Sequence, residues 1–164
     1  RAETRETSRR KAGETMKGYA TKLIEVTEKH ADRIASQWLG DVRVNPKTPS
    51  YHTFSDEKAL SHAVAFYRNF RSLFITDKPF DAAQKFFTKY ADERYSEGIP
   101  LHEAVYALIL MRRHIWLFVM DKMYGDTTDF MEALDLNNRV TLYFDRAMIA
   151  MVKGYMKMMD RQIR

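Results

Sequence analysis

Cysteine is absent from the 164 residues. The chain therefore has no disulfide, no thiolate metal site and no cysteine nucleophile, a composition that suits the cytoplasm. Proline and glycine are scarce, at 4 and 6. Only Gly18 and Gly154 fall inside strongly periodic segments, so most elements should run unbroken. No stretch alternates cleanly between turn signals, which leaves no expected strand. No apolar run reaches the roughly 18 residues of a membrane span. The best candidate, Ala104 to Met120, is cut by Arg112-Arg113-His114. No basic segment followed by an apolar one opens the chain at Arg1, so no secretory leader is expected. Charge of one sign is also in short supply. The net charge is +5, with 27 bases scattered among 22 acids and one dense cluster, Arg9-Arg10-Lys11, in a polar arm. That is a thin footprint for nucleic acid, and nucleic-acid binding stands only as a rival reading.

What is present is apolar material at helical spacing. Hydrophobic content of 45% supplies a core, and a mean hydropathy of −0.49 describes a soluble protein. Residues 1–13 read as a polar N-terminal arm. Residues 14–164 read as one domain. A first helix runs from Glu14 to Leu39 on the stripe Met16, Ala20, Leu23, Thr27, Ala31, Ile34, Trp38, and stops at Gly40-Asp41. Val42 to Thr53 is a loop. Ser55 caps a second helix, with Asp56 and Glu57 in its first turn. Pro79 opens a third, which stops at Gly98. Pro100 opens a central helix that is apolar on every side, so it should be buried. A final helix, from about Asp126 to the end, is longer than a small domain needs. The fold expected is an all-α, single-domain bundle of five or six helices with a long C-terminal helix, and the size and aromatic content invite comparison with a globin.

Arg112, Arg113 and His114 fan across about 200° of the central helix, so at least one must face protein. Arg112 lies on the expected inner stripe Leu101, Val105, Leu108, Arg112, Ile115, Trp116, Val119, Met123. Buried, it requires a carboxylate such as Asp145, Asp135 or Glu93, or else a ligand. The functional reading makes Arg112, Arg113, His114 and Trp116 a ligand-binding group, in which a guanidinium holds an anionic head group with two parallel hydrogen bonds above an aromatic-lined cavity. No cofactor is expected. A rival reading makes His114 the proximal ligand of a haem. The five histidines show no metal-ligand spacing, and no catalytic constellation is visible. Leu60-Ser61-His62-Ala63 lacks the acidic residue and proline of a kinase phosphoacceptor box, so His62 reads as a helix-surface histidine. Asn137 and Asn138 read as surface positions of the last helix.

The stretch Tyr90-Ala-Asp-Glu-Arg94-Tyr-Ser-Glu-Gly98-Ile-Pro100-Leu101-His-Glu103, continuing to Leu110-Met-Arg112-Arg-His-Ile-Trp116, resembles the N-terminal regulatory domain of RsbT co-antagonist (RsbRD-type) proteins. Relatives of that domain also stand at the N-terminus of bacterial sensor histidine kinases. The positions that carry the resemblance are Arg94, Gly98, Pro100, Leu101, Glu103, Leu110 and Arg112. The resemblance implies a cytoplasmic, all-helical sensor or scaffold related to non-haem globin-like bundles, and it implies no catalytic residue. Structurally, Gly98 and Pro100 make a turn, across which Glu103 could pair with Arg94. The resulting expectation is a sensory and regulatory domain, itself not an enzyme. It would form a homodimer through its last and central helices and pass a signal down the last helix to a kinase or regulator module. Its ligand would be small and anionic or apolar.

Overall fold

The stripe from Leu23 to Trp38 is buried position by position: Leu23, Thr27, Ala31, Ile34 and Trp38 all face inward. The computed structural model describes residues 23–74, 79–122 and 127–163. The expected N-terminal arm, the start of the first helix and Met123 lie outside the described residues. The first stretch is two helical segments, α1 (23–29) and α2 (Ala31–Val44), meeting at His30. The stop expected at Gly40-Asp41 falls one turn later. Glycine weakens a helix without forbidding it, whereas Pro46 holds Asn45 in an extended conformation, φ −74° and ψ 124°. The expected loop then contains a 3-10 turn, Pro49–His52.

Helix α3 (Asp56–Arg68) starts as expected, with the Ser55 hydroxyl accepting from the Lys58 N–H. It breaks at Asn69, whose side-chain amide donates to the Ala65 carbonyl at 2.7 Å, and α4 (Phe70–Phe74) follows. Helices α5 (Pro79–Ser96), α6 (Leu101–Lys122) and α7 (Thr127–Ile163) complete the chain. Every regular element among the described residues is helical, so the architecture is an all-α bundle with a long final helix. The breaks at His30 and Asn69 divide what the apolar pattern joins, which is why α1 to α7 stand where it counts five or six.

Helix α6 lies at the centre. The Trp38 indole N–H on α2 donates to the Ala107 carbonyl and the Tyr67 hydroxyl on α3 to the Met111 carbonyl, each at 3.0 Å. Its burial is not complete: Arg113, Leu117 and Met120 are exposed on one face. Buried aromatics fill the layer between α3, α5 and α7, where the Phe66 ring lies 5.9 Å from Phe87 and 5.6 Å from Phe144. The most extensive helix pairing is α5 with α7. Gly154 lets them approach closely, since a Cβ there would stand 2.7 Å from the Ala91 Cβ.

Candidate functional site

Helix α5 ends in a tight cap. Gly98 adopts φ 75°, a left-handed conformation that a Cβ disfavours. The Gly98 N–H donates to the Tyr95 carbonyl at 3.0 Å and the Ile99 N–H to the Arg94 carbonyl at 3.1 Å, a Schellman pair. Ile99 is buried behind it. The Pro100 carbonyl then accepts from the Glu103 and Ala104 N–H groups and starts α6. The last turn of α5 is thereby fixed against the first turn of α6, with the Arg94 side chain at the junction.

Arg94 is 0% exposed. Its guanidinium carbon lies 5.0 Å from the Tyr90 ring centroid and 5.2 Å from that of Phe54. Glu97 Oε2 comes within 2.7 Å of Nη2. That approach is off the N–H axis, and neither Glu97 Oε2 nor any of the three guanidinium nitrogens meets hydrogen-bond geometry. The buried hydroxyls of Tyr51 and Tyr90 do not meet it either. They nevertheless rest on each other, and the Tyr90 oxygen on the Arg94 guanidinium, as loose hydrogen-bond contacts that shift one another's ionisation. Burial pushes both phenols above their ordinary range, and it raises the Glu97 carboxyl as well, against the opposing pull of Arg94. A buried guanidinium with five donors and one bent ion pair is an under-used charge.

The walls of this cage are held from outside. Arg43, on α2, donates to the carbonyls of Tyr51 and His52 at 2.7 and 2.9 Å, and also contacts the Phe54 carbonyl and Asp56. Glu103 is buried, and it accepts from the Ser50 N–H at 2.7 Å and the Ser50 hydroxyl at 2.9 Å. Glu103 therefore pins the 3-10 turn that carries Tyr51. The pairing expected with Arg94 is not the one found: the Glu103 carboxylate is taken by Ser50, and Glu97 is the carboxylate beside Arg94. From the other side, the Tyr155 hydroxyl on α7 donates to the Ile99 carbonyl at 3.0 Å. The Tyr95 and Tyr155 rings meet edge to face at 5.5 Å, and the Tyr95 hydroxyl donates to Gln162.

The ligand-binding residues expected from the central helix take separate partners. Arg112 sits at the edge of the buried face, 3.4 Å from Asp145 on α7, one of the three expected carboxylates. Arg113 is exposed. His114 is buried, with Nε2 3.0 Å from Asp41 on α2. The Trp116 indole N–H donates to Asn137, so Asn137 faces inward toward α6 and only Asn138 is exposed. Of the motif positions, Arg94, Gly98, Pro100 and Glu103 converge on the cage. Leu110 is in the core and Leu101 packs against it. Sequence reasoning missed Tyr51, Phe54, Tyr90, Glu97 and Tyr155 as parts of a site. No spacing links residues 51–54 with 90–97, and the one available signal was an arginine inside an otherwise apolar helical stripe. His62, read as a helix-surface histidine, is partly exposed on α3 with Nδ1 3.3 Å from Glu93. Among the described residues no group of His, Asp and Glu could hold a metal ion, and no helix is long and apolar enough to cross a membrane.

These features define the class: an all-α bundle built around α6 and closed by a long final helix, with its most unusual polar site at the α5–α6 turn. The chain belongs to the RsbT co-antagonist protein rsbRD N-terminal domain family, whose sequence model matches residues 32–164. This is a family of regulatory, stress-signalling domains. Compared with curated proteins and with solved structures, the chain finds no match.

Proposed function

We propose that this domain is the cytoplasmic sensory input of a bacterial signal-transduction protein, a histidine kinase or a stress-response regulator. It acts as a homodimer and hands its signal through α7 to an output module in the same polypeptide. The observation that carries the reading is a stripe on α7. Leu142, Ile149, Met156 and Ile163 are exposed at strict seven-residue spacing, and exposed Met159 lies between the last two. An apolar side chain every seven residues is one of the two rows of the seam along which helices pair, and Met159, three residues after Met156, stands in the other. The opposite face of α7 is fixed by α5 and α6, so a change in the bundle alters the angle at which the stripe is presented. Exposed Leu117 and Met120 add apolar surface on α6. The family description, an N-terminal domain of a larger regulatory protein, supports a following module.

The absence of cysteine makes the test clean. Ile149→Cys, oxidised at low protein concentration, is expected to form a disulfide-linked dimer far faster than Ser36→Cys, which is exposed on α2. Equal rates for the two variants would overturn the reading.

A further inference from the structure

We infer that the Arg94 cage is a receptor for a small monoanionic carboxylate, and that Glu97 occupies the receptor when the ligand is absent. The proposal supplies the input for the relay through α7 and rests on that reading for its consequence, though not for the binding itself.

Three observations lead there. The first is the state of the charge. A fully buried guanidinium normally satisfies its donors with a bidentate carboxylate or with backbone carbonyls. Arg94 has neither, although Tyr51, Tyr90 and Glu97 all lie beside it. The second is the nature of the one partner. Glu97 is half-buried on the turn that ends α5, it meets Arg94 off the N–H axis, and burial raises its carboxyl toward the neutral form. A partner that approaches off-axis and is disfavoured as a charge can be displaced by one that fits. The third is the lining. Phe54 and Tyr90 present ring faces to the guanidinium, and the Tyr51 and Tyr90 hydroxyls, loosely engaged with each other, can turn to an added oxygen.

The lining also selects the ligand. One buried positive charge is neutralised by one negative charge, so a dianion such as hydrogen phosphate would leave an excess charge among aromatic rings. A carboxylate with an apolar or aromatic body matches both the fork of the guanidinium and the walls. Entry requires Glu97 to swing outward on the Gly98 turn. That turn carries the Ile99 carbonyl to which Tyr155 is bonded, so occupancy of the cage bears directly on α7.

The test measures binding by the full chain at constant ionic strength, using isothermal titration and the shift of the unfolding midpoint. The probes are benzoate, inorganic phosphate and chloride. Benzoate is expected to bind and to raise the midpoint, whereas phosphate and chloride do neither. Glu97→Gln removes the competing carboxylate and should tighten benzoate binding on the order of tenfold, about the strength of one charged hydrogen bond. Benzoate binding that is equal in wild type and Glu97→Gln, or phosphate binding as tight as benzoate, would overturn the proposal. A second measurement needs no variant. In the wild-type proton–nitrogen spectrum, benzoate should shift the Arg94 Nε–H and the Ile99 amide. Shifts confined to other residues would count against the cage. The cross-linking of α7 reads helix pairing and this experiment reads occupancy of Arg94, so either can fail alone.

Discussion

Arg94 is a charge held where a hydrocarbon would pack. Replacing a buried, imperfectly paired ion with an apolar side chain of similar shape is commonly neutral or stabilising. Arg94→Met is therefore expected to leave stability unchanged or to raise it by up to about 2 kcal/mol. Arg94→Ala, which leaves a void, should lose about 2 kcal/mol or more. Urea unfolding of the two variants checks this. A loss of several kcal/mol in Arg94→Met would mean that the guanidinium is a strut of the fold. His62 sits near the same turn with the opposite kind of conflict. Burial lowers its pKa below 6.5, chiefly by desolvation, and Arg94, Lys89 and Lys58 add to that while Glu93 opposes them. The unfolded chain then binds this proton more readily than the folded one. The penalty to stability begins as pH falls through 6.5, is complete below the folded value, and is absent above 6.5. Urea midpoints of wild type and His62→Gln should therefore converge near about pH 8 and separate near about pH 5, with the variant less acid-sensitive. Parallel profiles would show that His62 does not contribute.

At the scale of elements, α5 and α7 form the most extensive helix pairing, and Gly154 lies at a tight point of it. An alanine Cβ there would stand 2.7 Å from the Ala91 Cβ, which is fixed to backbone and cannot turn aside. The helices must separate, at about 1–3 kcal/mol for overpacking. Alanine returns up to about 1 kcal/mol of helix propensity. Gly154→Ala should lose on the order of 1 kcal/mol net, and Ala91→Gly added to it should restore the packing. A Gly154→Ala variant more stable than wild type would show that propensity outweighs the clash. Much at this scale was legible in the sequence. Leu23 to Trp38, the Ser55 cap and the Gly98–Pro100 turn each follow from local spacing or local backbone chemistry, and each is found. The failures were of two kinds. The stop at Gly40 was misplaced because proline, not glycine, decides the end of that helix. Asn69 was missed because a side chain that bonds its own backbone leaves no periodic trace. The cage was illegible for a further reason: its parts come from two distant segments, 51–54 and 90–97, and only the fold brings Tyr51 and Phe54 to Arg94. Glu103 shows the same limit, since its partner, Ser50, lies 53 residues away.

For the whole molecule, the decisive surface is the one α7 leaves uncovered. A single chain exposes Leu142, Ile149, Met156 and Ile163 along one line of a 37-residue helix. A helix of that length spans about 55 Å, well beyond the diameter of one small bundle, and pairing with a second copy would cover the stripe along much of it. Charge placed on the stripe discriminates between pairing and a merely exposed face. Ile149→Asp combined with Met156→Asp alters side chains already open to water, so within one chain each change should shift stability by no more than about 0.5 kcal/mol. Two copies pressed together along the stripe would bury four carboxylates without partners, which forbids pairing. Sedimentation equilibrium is expected to give wild type twice the 19.4 kDa chain mass and the double variant the chain mass alone, with equal helical content by circular dichroism. A monomeric wild type at high micromolar concentration would sink the idea, and so would a variant that remains dimeric. In either case α7 would present its apolar line to something other than its own copy.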